Sequence, residues 1–136
     1  MINNVVLVGY VGVIAPLKFL KTGVAVMDFQ LATTSIHKRP GNADMSKTTS
    51  WHSVVLFGKA ADTFYKLIKT GDLVYVSGAI NYNYFIGKDG IKRQVTKIMG
   101  DTIKILTKDG RQTFSEPEPA PLPTDNDLDD KDFEIQ

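Results

Sequence analysis

The chain has 136 residues, 43% hydrophobic and 23% charged, with no cysteine and a formal net charge of +1; this suits about one soluble domain and excludes a disulfide scaffold, a thiolate zinc site and a cysteine nucleophile. No apolar run approaches the roughly 20 residues that cross a bilayer, and Met1-Ile2-Asn3-Asn4 lacks the basic start of a secretory signal, so a cytoplasmic protein is expected. The charge is divided unevenly, since residues 1–114 hold 15 of the 16 Lys and Arg against seven acids while the last 22 residues set Lys131 against eight acids. A basic body with an acidic tail suggests one surface for a polyanion and a second element that competes with it or recruits something else.

In chain order, Asn4 to Gly9 is predicted as the first strand. Gly23 to Thr33 alternates Ala25, Met27, Phe29 and Leu31 against Val24, Val26, Asp28 and Gln30, the two-residue period of a strand with one face buried. The stretch from Pro40 to Thr49, with Gly41, Asn42 and Ser46, reads as a mobile loop, and Trp51 to Phe57 as the third strand. From Lys59 to Thr70 the period changes: Ala60, Ala61, Phe64, Leu67 and Ile68 share one helical face before Gly71 stops the helix. Asp72 to Phe85 and Lys92 to Met99 form a long hairpin around Gly87-Lys88-Asp89-Gly90, where the Asp-Gly pair would supply positive φ angles, and Thr102 to Leu106 is a last short strand. This order predicts an all-β, five-stranded barrel with one short helix, a small open sheet being the alternative.

The body is expected to span 1–107 and an acidic C-terminal tail 108–136. Pro117, Pro119, Pro121, Pro123 and the run Asp125-Asn126-Asp127 deny the tail a regular period. Its few large apolar residues cannot offset the entropy of ordering, so Ser115 to Gln136 reads as disordered. The far end mixes Asp129, Asp130 and Asp132 with Leu128, Phe133 and Ile135. Solubility alone does not need Phe133 and Ile135, so this end reads as a partner-binding segment.

Four stretches together resemble the bacterial single-stranded DNA-binding protein family: Asn4-Val5-Val6-Leu7-Val8-Gly9; Gly23-Val24-Ala25-Val26 with Leu31-Ala32-Thr33; Trp51-His52-Ser53-Val54-Val55-Leu56-Phe57-Gly58-Lys59; and Gly71-Asp72-Leu73-Val74-Tyr75-Val76-Ser77-Gly78. The resemblance covers about residues 1 to 106. It implies an OB-fold barrel that binds single-stranded DNA with little sequence preference in replication, recombination and repair. It also implies a homotetramer, no cofactor or metal, and a tail that recruits replication and repair proteins.

The residues support that reading on their own terms, because a single strand offers a polyanionic backbone and exposed base faces, and its binder needs cations with aromatic rings between them. Trp51 and Phe57 lie six apart in one strand and so share a face, while Val54 and Leu56 opposite can fill a barrel interior. Both match family positions that stack on bases. Phe85, near the hairpin tip, matches another; Tyr82 and Tyr84 point to the other face of that strand, one to pack on the barrel and one to meet DNA. Lys88, Lys92 and Arg93 beside them, and Lys59 at the end of the tryptophan-to-lysine segment, are candidates for phosphates. Where the family often carries a further tryptophan this chain has His37, a weaker stacking ring, followed by the cations Lys38 and Arg39.

His52 faces away from Trp51, and the matching family histidine lies at a subunit contact. No paired carboxylate or nucleophile stands near it in sequence, and the chain has no phosphate-binding glycine loop of the Walker type. The expectation is therefore no enzyme. Alternatives are an OB-fold module for RNA or protein and, from distant acids converging, a metal-dependent nuclease. The family's tail usually closes on proline and a terminal phenylalanine, whereas Phe133 here stands before Glu134-Ile135-Gln136. Ordinary family partners are expected to bind this end weakly.

Overall fold

A computed structural model describes residues 1–41 and 44–108. The predicted tail and its candidate residues Leu128, Asp129, Asp130, Asp132, Phe133 and Ile135 lie outside the described residues.

The elements in order are β1 (Val5–Ile14), β2 (Lys18–Phe19), β3 (Ala25–Lys38), β4 (Met45–Phe57), α1 (Lys59–Leu67), β5 (Leu73–Ile86) and β6 (Lys92–Thr107). The sheet runs β1-β5-β6-β4-β3-β2, and a further β1–β3 pairing closes its first five strands into a barrel. Closure satisfies the strand edges where the barrel shuts, while Val5 to Gly9 of β1 pair on one side only. β1 makes the closure by changing partner: Val5 to Tyr10 pair with β5, and Tyr10 to Ile14 with β3.

Alternation decides what enters the barrel. Ala25, Met27, Phe29 and Leu31 on β3 point inward with Val54 and Leu56 on β4, Val74 and Val76 on β5, and Ile98 and Ile103 on β6, all buried. α1 packs on the core through Ala61 and Phe64, and Ile68 joins it just after the helix. The turn after the helix is tied to β1: the Gly71 N–H donates to the Val11 carbonyl at 2.8 Å, and the Thr70 hydroxyl to the Gly12 carbonyl at 2.9 Å. Asp72 is wholly buried there, accepting the Lys69 N–H at 2.9 Å and pairing with Lys108 at 3.3 Å.

Several expected boundaries move. The stretch expected to be a loop from Pro40 to Thr49 is strand from Met45 onward, because β3 and β4 continue past the barrel as a two-stranded arm, with Lys38 opposite Met45. Lys92 to Met99 and Thr102 to Leu106 are one strand, β6; Ser77 faces Thr102 and Gly78 faces Gly100, so Asp101 is an extra residue that kinks the ladder without ending it. The helix stops at Leu67, three residues before the predicted end, with Ile68 already extended, and Leu67 is exposed rather than packed. In the β5–β6 turn only Gly90 has a positive φ, of 77°, and the Asp89 carboxylate instead accepts the Ile91 N–H at 3.2 Å.

Candidate nucleic-acid interface

The β3–β4 ladder has no register shift, so the face of each of its residues follows from counting. Opposite the buried row, Val26, Asp28, Gln30, Ala32, Thr34, Ile36 and Lys38 on β3 share the outer face with Phe57, Val55, Ser53, Trp51, Thr49, Lys47 and Met45 on β4. β6 joins β4 in parallel, with Val54 beside Ile98 and Val55 beside Met99. Lys97 and Arg93 therefore point outward with Met99, and their antiparallel partners Asn81 and Phe85 with them. Trp51, Phe57 and Phe85 thus stand on one continuous outer surface, although they come from two strands that do not adjoin.

Each ring is held differently. Phe57 and Phe85 are 42% and 48% exposed. Trp51 is half-buried because its six-membered ring lies over Gly12 of β1, where any side chain would collide with it. The indole thus stands opposite Ala32 of β3 and against Gly12 of β1. Its Nε1 is covered from solvent and makes no hydrogen bond among the described residues. Trp51 and Phe57 are six residues apart along β4, roughly 20 Å at strand rise.

Between them, beside the nearly buried Val55, stand the polar Asp28, Gln30 and Ser53, with Lys97 reaching across from β6 to the Asp28 carboxylate at 2.6 Å. The Ser53 hydroxyl donates to the other Asp28 oxygen at 3.4 Å. Cations bound the face. Lys38 and Lys47 stand on its arm, Arg93 lies opposite Phe85, and Lys18 of β2 is in register with Val26 and so with Phe57.

Of the other predicted site residues, Lys38 and Arg93 share that face and the rest lie apart from it. His37 is exposed but on the opposite pleat of β3 from Lys38, facing Ser46, and the exposed Arg39 follows the end of the strand. Tyr82 and Tyr84 occupy the far side of β5 from Phe85, 57% and 61% exposed; neither packs into the barrel, and Lys92 sits over the Tyr84 ring at 4.5 Å from its centre. Arg93 is paired with Asp89 at 2.8 Å, Lys88 is exposed in the turn, and Lys59 is exposed at the first position of α1. His52 points along the inward row beside Leu31, and its Nε2 lies 2.8 Å from the Thr33 hydroxyl. Burial holds its imidazole below the ordinary histidine value, which favours the neutral ring.

Sequence reasoning misses Lys18, Lys47, Lys97 and the polar residues between the rings. Lys47 is accessible to it in principle, because it lies four residues before Trp51 and so on the same face once the strand is extended. Lys18 and Lys97 reach the face only through non-local pairing, for which one sequence carries no signal.

Residues 2–106 match the model of the single-strand binding protein family. A single-stranded DNA-binding protein of Xylella fastidiosa (strain Temecula1) is 37% identical over 106 residues, covering 77% of this chain and 63% of that protein. One of Xanthomonas campestris pv. campestris gives the same identity over 60% of its length, so the chain spans about three fifths of these curated relatives. Single-stranded DNA-binding protein 1 of Xylella fastidiosa (strain 9a5c) is 30% identical over 93% of this chain and 94% of its own. Among solved structures, a Plasmodium falciparum SSB in complex with ssDNA matches with a TM-score of 0.73 and 26% identity, covering 79% of this chain and 97% of that one.

Proposed function

The chain belongs to the single-strand binding protein family, and from that premise we propose that it binds single-stranded DNA with tolerance of sequence, by stacking bases on Trp51, Phe57 and Phe85 and placing phosphates on surrounding lysines. The observation that carries this is the common outer face of the three rings, with Lys18, Lys38 and Lys47 around it. Rings accept any base, since every base has a π-face, and the cations recognise only the backbone. Trp51 is the single tryptophan, so it reports its own site. Its fluorescence should fall on addition of a thymidine oligomer, and affinity should drop as salt rises, by about 0.7 in log–log slope per phosphate neutralised. Competition with RNA of equal length separates DNA from RNA as the ligand; equal competition would favour the broader nucleic-acid reading, and unchanged fluorescence with no salt dependence would reject both.

The same reading extends to assembly and to the tail. Val6 and Val8 expose apolar surface on the outer side of β1, which suits contact with further copies, and four barrels on one strand would gain by effective concentration. A homotetramer with His52 near a subunit contact, serving replication, recombination and repair through a domain at 1–107 and a recruiting tail at 108–136, follows as the working picture. A chain lacking residues 115–136 should keep or raise its DNA affinity, having lost eight acids that compete for the basic face. It should sediment at the tetramer mass like the full chain, and lose the replication and repair proteins that the full chain retains in a pull-down. Identical partner sets would reduce the tail to a solubilising appendage, and monomers at micromolar concentration would reject the assembly.

A further inference from the structure

The Asp28–Lys97 pair sits where a simple polyanion binder would not put it. The face between Trp51 and Phe57 is the expected path of a strand, yet its middle carries a carboxylate, and the nearest cation there is committed to that carboxylate at 2.6 Å. Both side chains remain about a third exposed, 34% for Asp28 and 32% for Lys97, so a ligand on the face would meet them. The cations without such a central partner stand away from this point: Lys18 on β2, and Lys38 and Lys47 on the arm. The charge pattern is a neutral, hydrogen-bonding centre with a positive margin.

From this pattern we propose that the Asp28–Lys97 pair orients the strand, turning bases down onto the centre of the face and phosphates out to its margin. The inference rests on the single-stranded DNA reading above and gives it a direction. A phosphate over the centre would meet the Asp28 carboxylate and find Lys97 already neutralised. A base edge meets the reverse, an acceptor and a donor side by side. Each base carries an adjoining donor and acceptor on its pairing edge: N4–H and N3 in cytosine, N6–H and N1 in adenine, N3–H and O4 in thymine, N1–H and O6 in guanine. The pair can therefore satisfy a free base edge without choosing among bases, and a paired base has no such edge to offer. Ser53, already against Asp28 at 3.4 Å, and Gln30 beside it on the same face add further adaptable groups. Asp28 and Lys97 are positioning residues here, acting on how the strand lies over the rings.

The test compares two ligands for the full-length protein: a thymidine oligomer and an abasic deoxyribose-phosphate oligomer of the same length, with affinities measured across a salt titration. In Asp28→Asn the like-charge obstacle is gone and Lys97 is released. Affinity for the abasic oligomer should rise about tenfold, with a salt slope steeper by about 0.7 for one more neutralised phosphate. Affinity for the thymidine oligomer should change much less, so the preference for bases narrows. Asp28→Glu keeps the charge and should restore the parent's preference. Asp28→Asn/Lys97→Gln leaves the net charge of the pair unchanged, and should still show a narrowed preference. If the pair were only a clip between β3 and β6, or only a local charge, both ligands would shift by the same factor. An unchanged or widened preference in Asp28→Asn overturns the proposal. Failure of the parent to bind either oligomer would sink the underlying DNA reading and this inference with it, whereas normal thymidine binding with an unchanged preference sinks the orientation role alone.

Discussion

Replacing Trp51, Phe57 and Phe85 together by alanine is expected to weaken binding of a thymidine oligomer by at least about a hundredfold, since a base stacked on an aromatic ring contributes roughly 1–3 kcal/mol and each 1.4 kcal/mol is tenfold. The weak binding that remains should be carried by Lys18, Lys38 and Lys47 and keep its dependence on salt. Single substitutions should separate the rings. Phe57 and Phe85 are nearly half exposed, so their loss should reduce affinity with little effect on melting. Trp51 braces against Gly12, so Trp51→Ala should also cost about 2 kcal/mol of folding stability, the lower range for a large aromatic that is only partly buried. Affinities must therefore be taken well below the melting temperature, by anisotropy of a labelled oligomer. If the triple variant binds as the parent does, the three rings are surface aromatics and the ligand lies elsewhere.

Much of this face is legible in the order of residues alone. The two-residue period of Ala25, Met27, Phe29 and Leu31 predicts a half-buried strand, and the same period in Trp51 to Phe57 puts two rings outward and Val54 and Leu56 inward, as the barrel has them. Legibility stops where burial stops. Thr34 to Lys38 and Met45 to Ser50 carry little apolar alternation because the arm they form has no core beneath it, and so half of that arm resembles a loop in sequence. β6 looks like two strands at Gly100-Asp101, where the residues signal a turn but the backbone only bulges. The proposed stacking set depends on the pairing of β4 with β6, which brings Phe85 to the same surface as Trp51. In sequence His37 is only a ring beside two cations, and the register that turns it to the other pleat from Lys38 is invisible without its partner strand. Periodicity places Phe85 on the other pleat from Tyr82 and Tyr84, but which pleat meets the outer face of Trp51 depends on strand pairing.

The largest effects on stability are expected at two glycines whose surroundings leave no room for a side chain. Gly9 lies where β1 leaves β5 for β3, and a Cβ there would overlap the Ala32 carbonyl oxygen. Gly78 lies at the β5–β6 register shift opposite Gly100, and its Cβ would overlap the Met99 carbonyl oxygen. Both obstacles are backbone, which cannot rotate aside as a side chain can, so relief requires the strands to separate at the points where the barrel coils and closes. Gly9→Ala and Gly78→Ala should each cost about 3 kcal/mol, the upper range for overpacking, lowering the melting temperature by roughly 10–20 °C in a domain of this size. Gly90→Ala is the contrast. A Cβ at Gly90 would have nothing within 4 Å, and the only strain there is a φ of 77°, which costs about 1 kcal/mol. Equal melting of Gly78→Ala and Gly90→Ala would show that the barrel does not depend on this close approach. A Gly78→Ala chain that still folds at low temperature should bind DNA nearly as the parent does, because Gly78 offers the DNA no group of its own and its close approach to Met99 serves the barrel.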